Sequence, residues 1–263
     1  MSQPLYVVKI GGNVIDNPEA CSRFLNAFAK LSGIKILVHG GGKVATQIAA
    51  RLQIETQMVD GRRITDKPML DVVTMVYGGL VNKNLVASLQ AVGCNAIGLT
   101  GADGGIIRSV KRPVKTIDYG FVGDIEEVNA AQVNALLNSN LVPVIAPLTY
   151  SNDGLLLNTN ADTMASAMAV AMAKSYDVNL IYCFEKKGVL SDPEDDDSVI
   201  RSLTPSEYAG HKESGAINKG MIPKLDNAFA ALQEGVKKVT ICHADELGEA
   251  AVGEAGTVIF FYK

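Results

Sequence analysis

Lys35-Ile36-Leu37-Val38-His39-Gly40-Gly41-Gly42-Lys43, continuing through Val44 to Leu52, is the stretch that decides the fold. Its first five residues form an apolar, β-rich run, three glycines break it, and Lys43 to Leu52 has helical periodicity. A strand that ends in glycines before a helix exposes consecutive backbone N–H groups at the helix N-terminus, where the macrodipole adds partial positive charge. The same arrangement stands at the N-terminus, where Leu5 to Ile10 reads as a strand, Gly11-Gly12 breaks it, and Pro18 to Lys30 is helical. Either glycine cluster alone fits a tight turn. Two of them, each at the carboxyl end of its strand, favour a phosphate or carboxylate site.

Outward from these turns the alternation continues. Strands are predicted at Ala96–Leu99, Val142–Ala146, Asn179–Cys183 and Lys238–Cys242, and helices at Met69–Val92, Ala130–Asn138, Thr163–Ser175 and Lys219–Glu234. That order predicts right-handed βαβ units and a mostly parallel sheet covered on both faces. Ile106 to Glu127 breaks the pattern; its Pro113, Tyr119-Gly120 and Val122-Gly123 turn signals predict a β-hairpin excursion. Met164, Met168 and Met172 recur every four residues and read as core packing.

Composition excludes several classes. At 263 residues the chain can bury a core without staples; 48% hydrophobic and 20% charged residues are ordinary for a globular protein. Trp is absent, aromatics are 6%, net charge is −4, and the basic residues cluster only in pairs such as Arg62-Arg63, so nucleic acid is not an expected partner. Cys21, Cys94, Cys183 and Cys242 are scattered and read as reduced core thiols. Cys242-His243 is adjacent but lacks an orienting third residue, and the acid run Glu194–Asp197 reads as a solvated loop rather than a metal site. Met1 to Gln3 runs straight into a strand, and the longest apolar helix candidate, Ala161 to Ala173, is too short for a bilayer. A soluble, cytoplasmic protein is expected.

Chemistry-bearing residues flank the glycine turns. GxGxxG is absent, and Gly215 to Gly220 has Walker spacing but Met221 where that motif needs Lys. Lys9 lies one residue before its strand breaks, either snorkelling from an edge or aimed at a site. Asn158-Thr159-Asn160-Ala161-Asp162 precedes a long helix, where capping explains such residues equally well. Lys224, in the opening turn after Gly220-Met221-Ile222-Pro223, opposes the helix dipole.

Lys9-Ile10-Gly11-Gly12, His39-Gly40-Gly41-Gly42, Gly61-Arg62-Arg63-Ile64-Thr65, Asn158-Thr159-Asn160-Ala161-Asp162 and Gly220-Met221-Ile222-Pro223-Lys224 occur in the order seen in N-acetylglutamate kinases of the amino acid kinase family. Over essentially the whole chain the sequence resembles that group. The resemblance implies an open, mainly parallel three-layer αβα sandwich, with an acyl-amino-acid lobe of about 1–165 and a nucleotide lobe of about 166–263. It implies ATP-dependent phosphorylation of an N-acylated glutamate in arginine biosynthesis, with Mg²⁺ carried by the nucleotide. Lys9 and Lys224 then stabilise the transferred phosphoryl group, and Asp162 orients those lysines. Gly41, Gly42, Arg63 and Asn158 contact the acyl amino acid, and Gly11, Gly12 and Asn160 belong to the phosphoryl and nucleotide surroundings. One segment departs: such kinases usually carry Ser/Thr-Asp-Val-x-Gly where this chain has Phe184-Glu185-Lys186-Lys187-Gly188.

The acyl group is expected to be acetyl, with succinyl as the alternative because Arg62, Arg108, Lys111, Arg112 and Lys115 crowd the binding lobe. Glutamate, aspartate or carbamate phosphorylation and a non-catalytic amino-acid sensor are the other readings. Arginine-sensitive relatives carry an extra N-terminal helix, whereas Leu5 here already begins a strand; a homodimer through Met69–Val92, without arginine feedback, is expected.

Overall fold

A computed structural model of the chain describes residues 3–59, 61–192, 194–214, 217 and 221–261. The chain divides into two compact units, one made of Met1–Ile36 with Ala165–Lys263 and the other of Leu37–Met164. The first 36 residues thus group with the C-terminal stretch, whereas the sequence-based lobe of about 1–165 had kept them with the N-terminal half. The cause is a ladder: β1 (Pro4–Ile10) pairs in parallel with Asp177–Phe184, from Pro4 opposite Asp177 to Ile10 opposite Cys183.

The elements run in order. After β1 come α1 (Gly12–Ile15), α2 (Pro18–Lys30), β2 (Ile34–His39) and α3 (Gly42–Arg51). A short hairpin, β3 (Met58–Val59) and β4 (Arg62–Arg63), leads to α4 (Lys67–Val73), a π-helical segment (Thr74–Val81) and α5 (Asn82–Ala91). Then follow β5 (Ala96–Leu99), β6 (Ile107–Lys111), β7 (Gly123–Val128), α6 (Ala130–Asn138), β8 (Val142–Ile145), β9 (Leu148–Tyr150), β10 (Leu156–Asn158) and α7 (Ala161–Met172). The remainder is β11 (Asp177–Phe184), β12 (Ser202–Leu203), α8 (Pro205–Ser214), α9 (Ile222–Gln233), β13 (Lys238–His243), α10 (Leu247–Val252) and β14 (Thr257–Ile259).

In the unit holding both ends of the chain, the strand order is β12-β14-β13-β11-β1. β1, β11 and β13 are mutually parallel neighbours, and β14 runs antiparallel to β13. Parallel strands covered on both faces read as continuous apolar runs, and β11 is buried from Leu180 through Phe184. In the 37–164 unit, β8 lies in parallel between β2 and β5. A second sheet there, β10-β9-β6-β7, contains the expected hairpin, with β6 and β7 antiparallel.

Local chemistry sets the helix ends. Asn17 caps α2 by accepting from the Glu19 and Ala20 N–H groups at 3.1 Å, and Pro18 occupies the first turn, where a missing N–H costs nothing. Asp66 caps α4 through the Met69 N–H at 2.9 Å. Met164, Met168 and Met172 are fully buried, as their spacing predicts.

The expected helix Met69–Val92 is interrupted. Thr74–Val81 winds as a π-helix between α4 and α5. Together these form a 25-residue helical run, Lys67–Ala91, long and apolar enough to cross a membrane, so Ala161–Ala173 is not the longest apolar helix. Its buried residues, among them Met69, Val72, Val76, Leu85 and Leu89, belong to the core, while Lys67 and Asp71 form a surface ion pair at 2.7 Å.

Candidate active site

In the 37–164 unit, a pocket is lined by Gly40–Gly42 and Gly61–Arg63, with Tyr77, Arg112 and Asn158–Ala161 also in its wall. The glycine turn is built for it. Gly41 sits at φ +151°, a backbone conformation that favours glycine, and a Cβ there would crowd Tyr77 Cδ1 at 3.1 Å. The turn opens α3 with Gly41 as N-cap, so the first N–H groups of α3 have no acceptor within the helix. Behind it, His39 is fully buried, and burial lowers its pKa to about 4, so the imidazole is neutral.

Arg63 is buried in the pocket wall. Its Nη2 donates to the Gly42 carbonyl at 2.8 Å and to Thr46 Oγ1 at 2.9 Å, and its Nη1 donates to Thr56 Oγ1 at 3.3 Å. The guanidinium that the resemblance assigns to the acyl amino acid is therefore partly committed to the wall. In this structure the same side chain ties the glycine turn to β4 while lining the pocket with positive charge. Tyr77, inside the expected helix Met69–Val92, delivers its ring against Gly41 from the π-helical segment. Burial raises its phenol pKa, and the Arg63 charge opposes that shift. A π turn within an α-helix is frequent at functional sites, but nothing in the sequence marks one here.

Asn158 ends β10 and does not cap α7. Its Nδ2 donates to Thr65 Oγ1 at 2.9 Å, deep in the wall. The cap is Asn160, whose Oδ1 accepts from the Thr163 N–H at 3.0 Å. Asp162 stands in the first turn of α7, half-buried. Of the basic hairpin residues, Arg112 is the one in the pocket wall; its Nε and Nη2 donate to Asp124 at 3.0 and 2.5 Å. Arg108 is paired outside it with Glu126 and Glu127, and Lys111 lies 4.9 Å from the Phe121 ring.

In the other unit, Lys9 and Lys224 converge. Lys9 is 6% exposed near the end of β1, and its Nζ lies 4.8 Å from the centroid of the Phe184 ring. Lys224 reaches the same ring at 4.4 Å from the first turn of α9. Gly11 follows β1 and caps the short α1, but its N–H donates to the Cys183 carbonyl at 3.1 Å, extending the ladder instead of facing an anion. Gly12 is the first residue of α1. Gly220, like Lys219 and Gly215, lies outside the described residues.

The departing segment is well anchored. Glu185 accepts from Asn13 Nδ2, and Lys186 and Lys187 pair with Asp196 and Asp197 at 2.5 Å. At Gly188 a Cβ would come within 2.6 Å of Thr257 Oγ1. Cys242 faces Cys183 at 3.8 Å between neighbouring strands, with both thiols buried; desolvation raises the Cys183 pKa well above the usual range, which opposes nucleophilic chemistry there. His243 turns the other way and caps the next turn through the Asp245 N–H. Among the described residues, no cluster of three or more His, Cys, Asp or Glu could hold a metal ion.

The chain is similar to known proteins over nearly its whole length. The chain is 60% identical to the acetylglutamate kinase of Cytophaga hutchinsonii over 248 residues, covering 94% of each chain. It is 55% identical to that of Phocaeicola vulgatus over 259 residues, covering 98% of this chain and 99% of that one. Its fold is shared with carbamate kinase from Giardia lamblia bound to AMP-PNP, at a TM-score of 0.75, 15% identity and 99% coverage of both. The family model described as "Amino acid kinase family" matches residues 4–243, and this chain, with its α/β fold and mostly parallel strands, belongs to that family.

Proposed function

We propose that this chain transfers the γ-phosphoryl group of ATP to the γ-carboxylate of N-acetyl-L-glutamate, a step of arginine biosynthesis. The observation that carries this reading is the pocket in which Gly41, Gly42, Arg63 and Asn158 share one wall. The identity to acetylglutamate kinases supports the same substrate.

The chemistry fits the residues. A side-chain carboxylate with an ordinary pKa of about 4.3 is already ionised at neutral pH, so no general base is required. The barrier is electrostatic: an anionic nucleophile approaches an anionic phosphate, and cations must stabilise the oxygens where charge shifts. Lys9 and Lys224 supply that charge. Asp162 takes the carboxylate role that the resemblance implies, and Gly12 and Asn160 belong to the surroundings of the phosphates. Mg²⁺ enters with ATP as part of the substrate and keeps several of its waters, so a dense carboxylate cage is unnecessary. The reaction is placed in the cytoplasm, and the four free cysteines agree with a reducing compartment.

ADP release measured with N-acetylglutamate, glutamate, aspartate and carbamate tests the proposal. Turnover with N-acetylglutamate supports it. Turnover restricted to another acceptor identifies a different amino acid kinase, and no ADP release with any acceptor overturns the proposal. Arg62 and Arg112 at the pocket favour a second reading, in which the acyl group is succinyl. Exposed Met75 and Leu80 on the 67–91 run support a homodimer formed through that surface.

A further inference from the structure

Two lysines share one aromatic ring. The Nζ atoms of Lys9 and Lys224 lie 4.8 and 4.4 Å from the Phe184 centroid, although they arrive from a strand and a helix far apart in sequence. The ring is fixed on several sides. Tyr182 stacks beside it with centroids 6.3 Å apart and planes 12° from parallel. Its Cδ1 is 3.5 Å from the place a Gly11 Cβ would take, and the Gly11 N–H bonds to the carbonyl of Cys183 directly before it. Glu185 directly after it accepts from Asn13. Phe184 is 9% exposed, so its attraction for a cation is little screened by water.

We infer that Phe184 is a positioning residue for phosphoryl transfer: its ring holds the ammonium groups of both Lys9 and Lys224 without adding negative charge of its own. The inference rests on the role proposed above for the two lysines. Two ammonium groups repel; Asp162, in the role proposed above, is one group that attracts both, and the ring of Phe184 is a second. A carboxylate at position 184 would do so by cancelling part of their charge. An aromatic face attracts cations through its quadrupole and brings no formal negative charge to compete with the phosphate oxygens. Phenylalanine in the segment that departs from Ser/Thr-Asp-Val-x-Gly is therefore a working part of the site.

Replacing Phe184 with 4-fluoro-, 3,5-difluoro- and 3,4,5-trifluorophenylalanine keeps the shape while draining the ring face of negative potential. Turnover is expected to fall about twofold per fluorine, with KM for ATP and the melting temperature unchanged. Phe184→Leu is expected to lose roughly tenfold in kcat and to abolish the ring-current shifts of the Lys9 and Lys224 ε-methylene protons. A flat kcat across the fluorinated series overturns the inference if Lys9→Ala and Lys224→Ala each lose activity. So does the absence of ring-current shifts in the wild-type spectrum. Normal turnover in both lysine variants overturns the proposed role of the lysines instead, and the positioning role falls with it.

Discussion

Asn82 donates its side-chain amide to Nε2 of His39 at 3.1 Å, while Nδ1 of that imidazole lies 2.7 Å from the Gly40 carbonyl. Asn82 Nδ2 also reaches the Val144 carbonyl at 2.9 Å, so Nε2 is the acceptor and Nδ1 carries the proton. A buried, neutral histidine thus braces the glycine turn from behind. With a folded pKa of about 4 against 6.5, the unfolded chain binds the extra proton between those values. Stability from this group is present above pH 6.5 and is lost as pH falls towards 4, on the order of 3 kcal/mol in all. Urea unfolding at pH 7 and pH 5 checks this: the wild type should lose more stability than His39→Gln, and equal losses would contradict the assignment.

Lys9→Ala and Lys224→Ala should each lower kcat by about 10²-fold or more, the scale of losing a preorganised contact to developing charge. Asp162→Asn should also act on kcat more than on either KM. Steady-state kinetics beside circular dichroism separates this from misfolding, and a well-folded lysine variant with normal turnover would remove that lysine from the mechanism.

Arg63→Lys should raise KM for the acceptor at least tenfold and leave KM for ATP within about twofold, because a point charge cannot replace a planar fork. The fork bridges Gly42, Thr46 and Thr56, so the variant loosens the turn as well as removing guanidinium charge. An unchanged acceptor KM would show that Arg63 is wall and nothing more.

Arg112 is where the succinyl reading is tested. If Arg112 receives a second carboxylate, Arg112→Gln should lower kcat/KM for N-succinylglutamate roughly tenfold while sparing N-acetylglutamate. Its existing pair with Asp124 is half-exposed on the acidic side, which leaves the guanidinium able to exchange partners. A wild-type preference for the acetyl substrate of tenfold or more defeats the succinyl reading.

Assembly is checked by light scattering. Met75 and Leu80, on one helical run, are 55% and 48% exposed and offer apolar surface to a second copy. The wild type should have the mass of a dimer, and Met75→Glu with Leu80→Glu should yield a monomer. A monomeric wild type, or a hexamer, contradicts this surface.

How much of this was legible in the sequence follows from how local each signal is. Pro18–Lys30 is a helix with those bounds because Asn17, Pro18 and Lys30 are start and stop signals that act within one turn. Ala96–Leu99 likewise matches its strand. Asn158 could not be placed, because a three-residue strand has no periodicity and asparagine before a helix reads as a cap. The π-helical turns were invisible for a similar reason: Thr74–Val81 is apolar almost throughout, so no face identifies its pitch. Tyr77 was hidden within it. The convergence of Lys9 and Lys224 on Phe184 needs both the register of β1 against β11 and the approach of α9, which only the tertiary fold provides.

The division of the chain also has a bearing on its synthesis. Residues 37–164 form a compact unit from one continuous segment, complete before β11 has been translated. β1 must wait for it, an apolar strand with Leu5, Val7, Val8 and Ile10 destined for full burial and its β11 edge unmatched. At ~5–20 residues per second that wait lasts on the order of ten seconds on the ribosome. During that interval the nascent chain carries an open β-edge, and a holding chaperone would find its first grip at Pro4–Ile10.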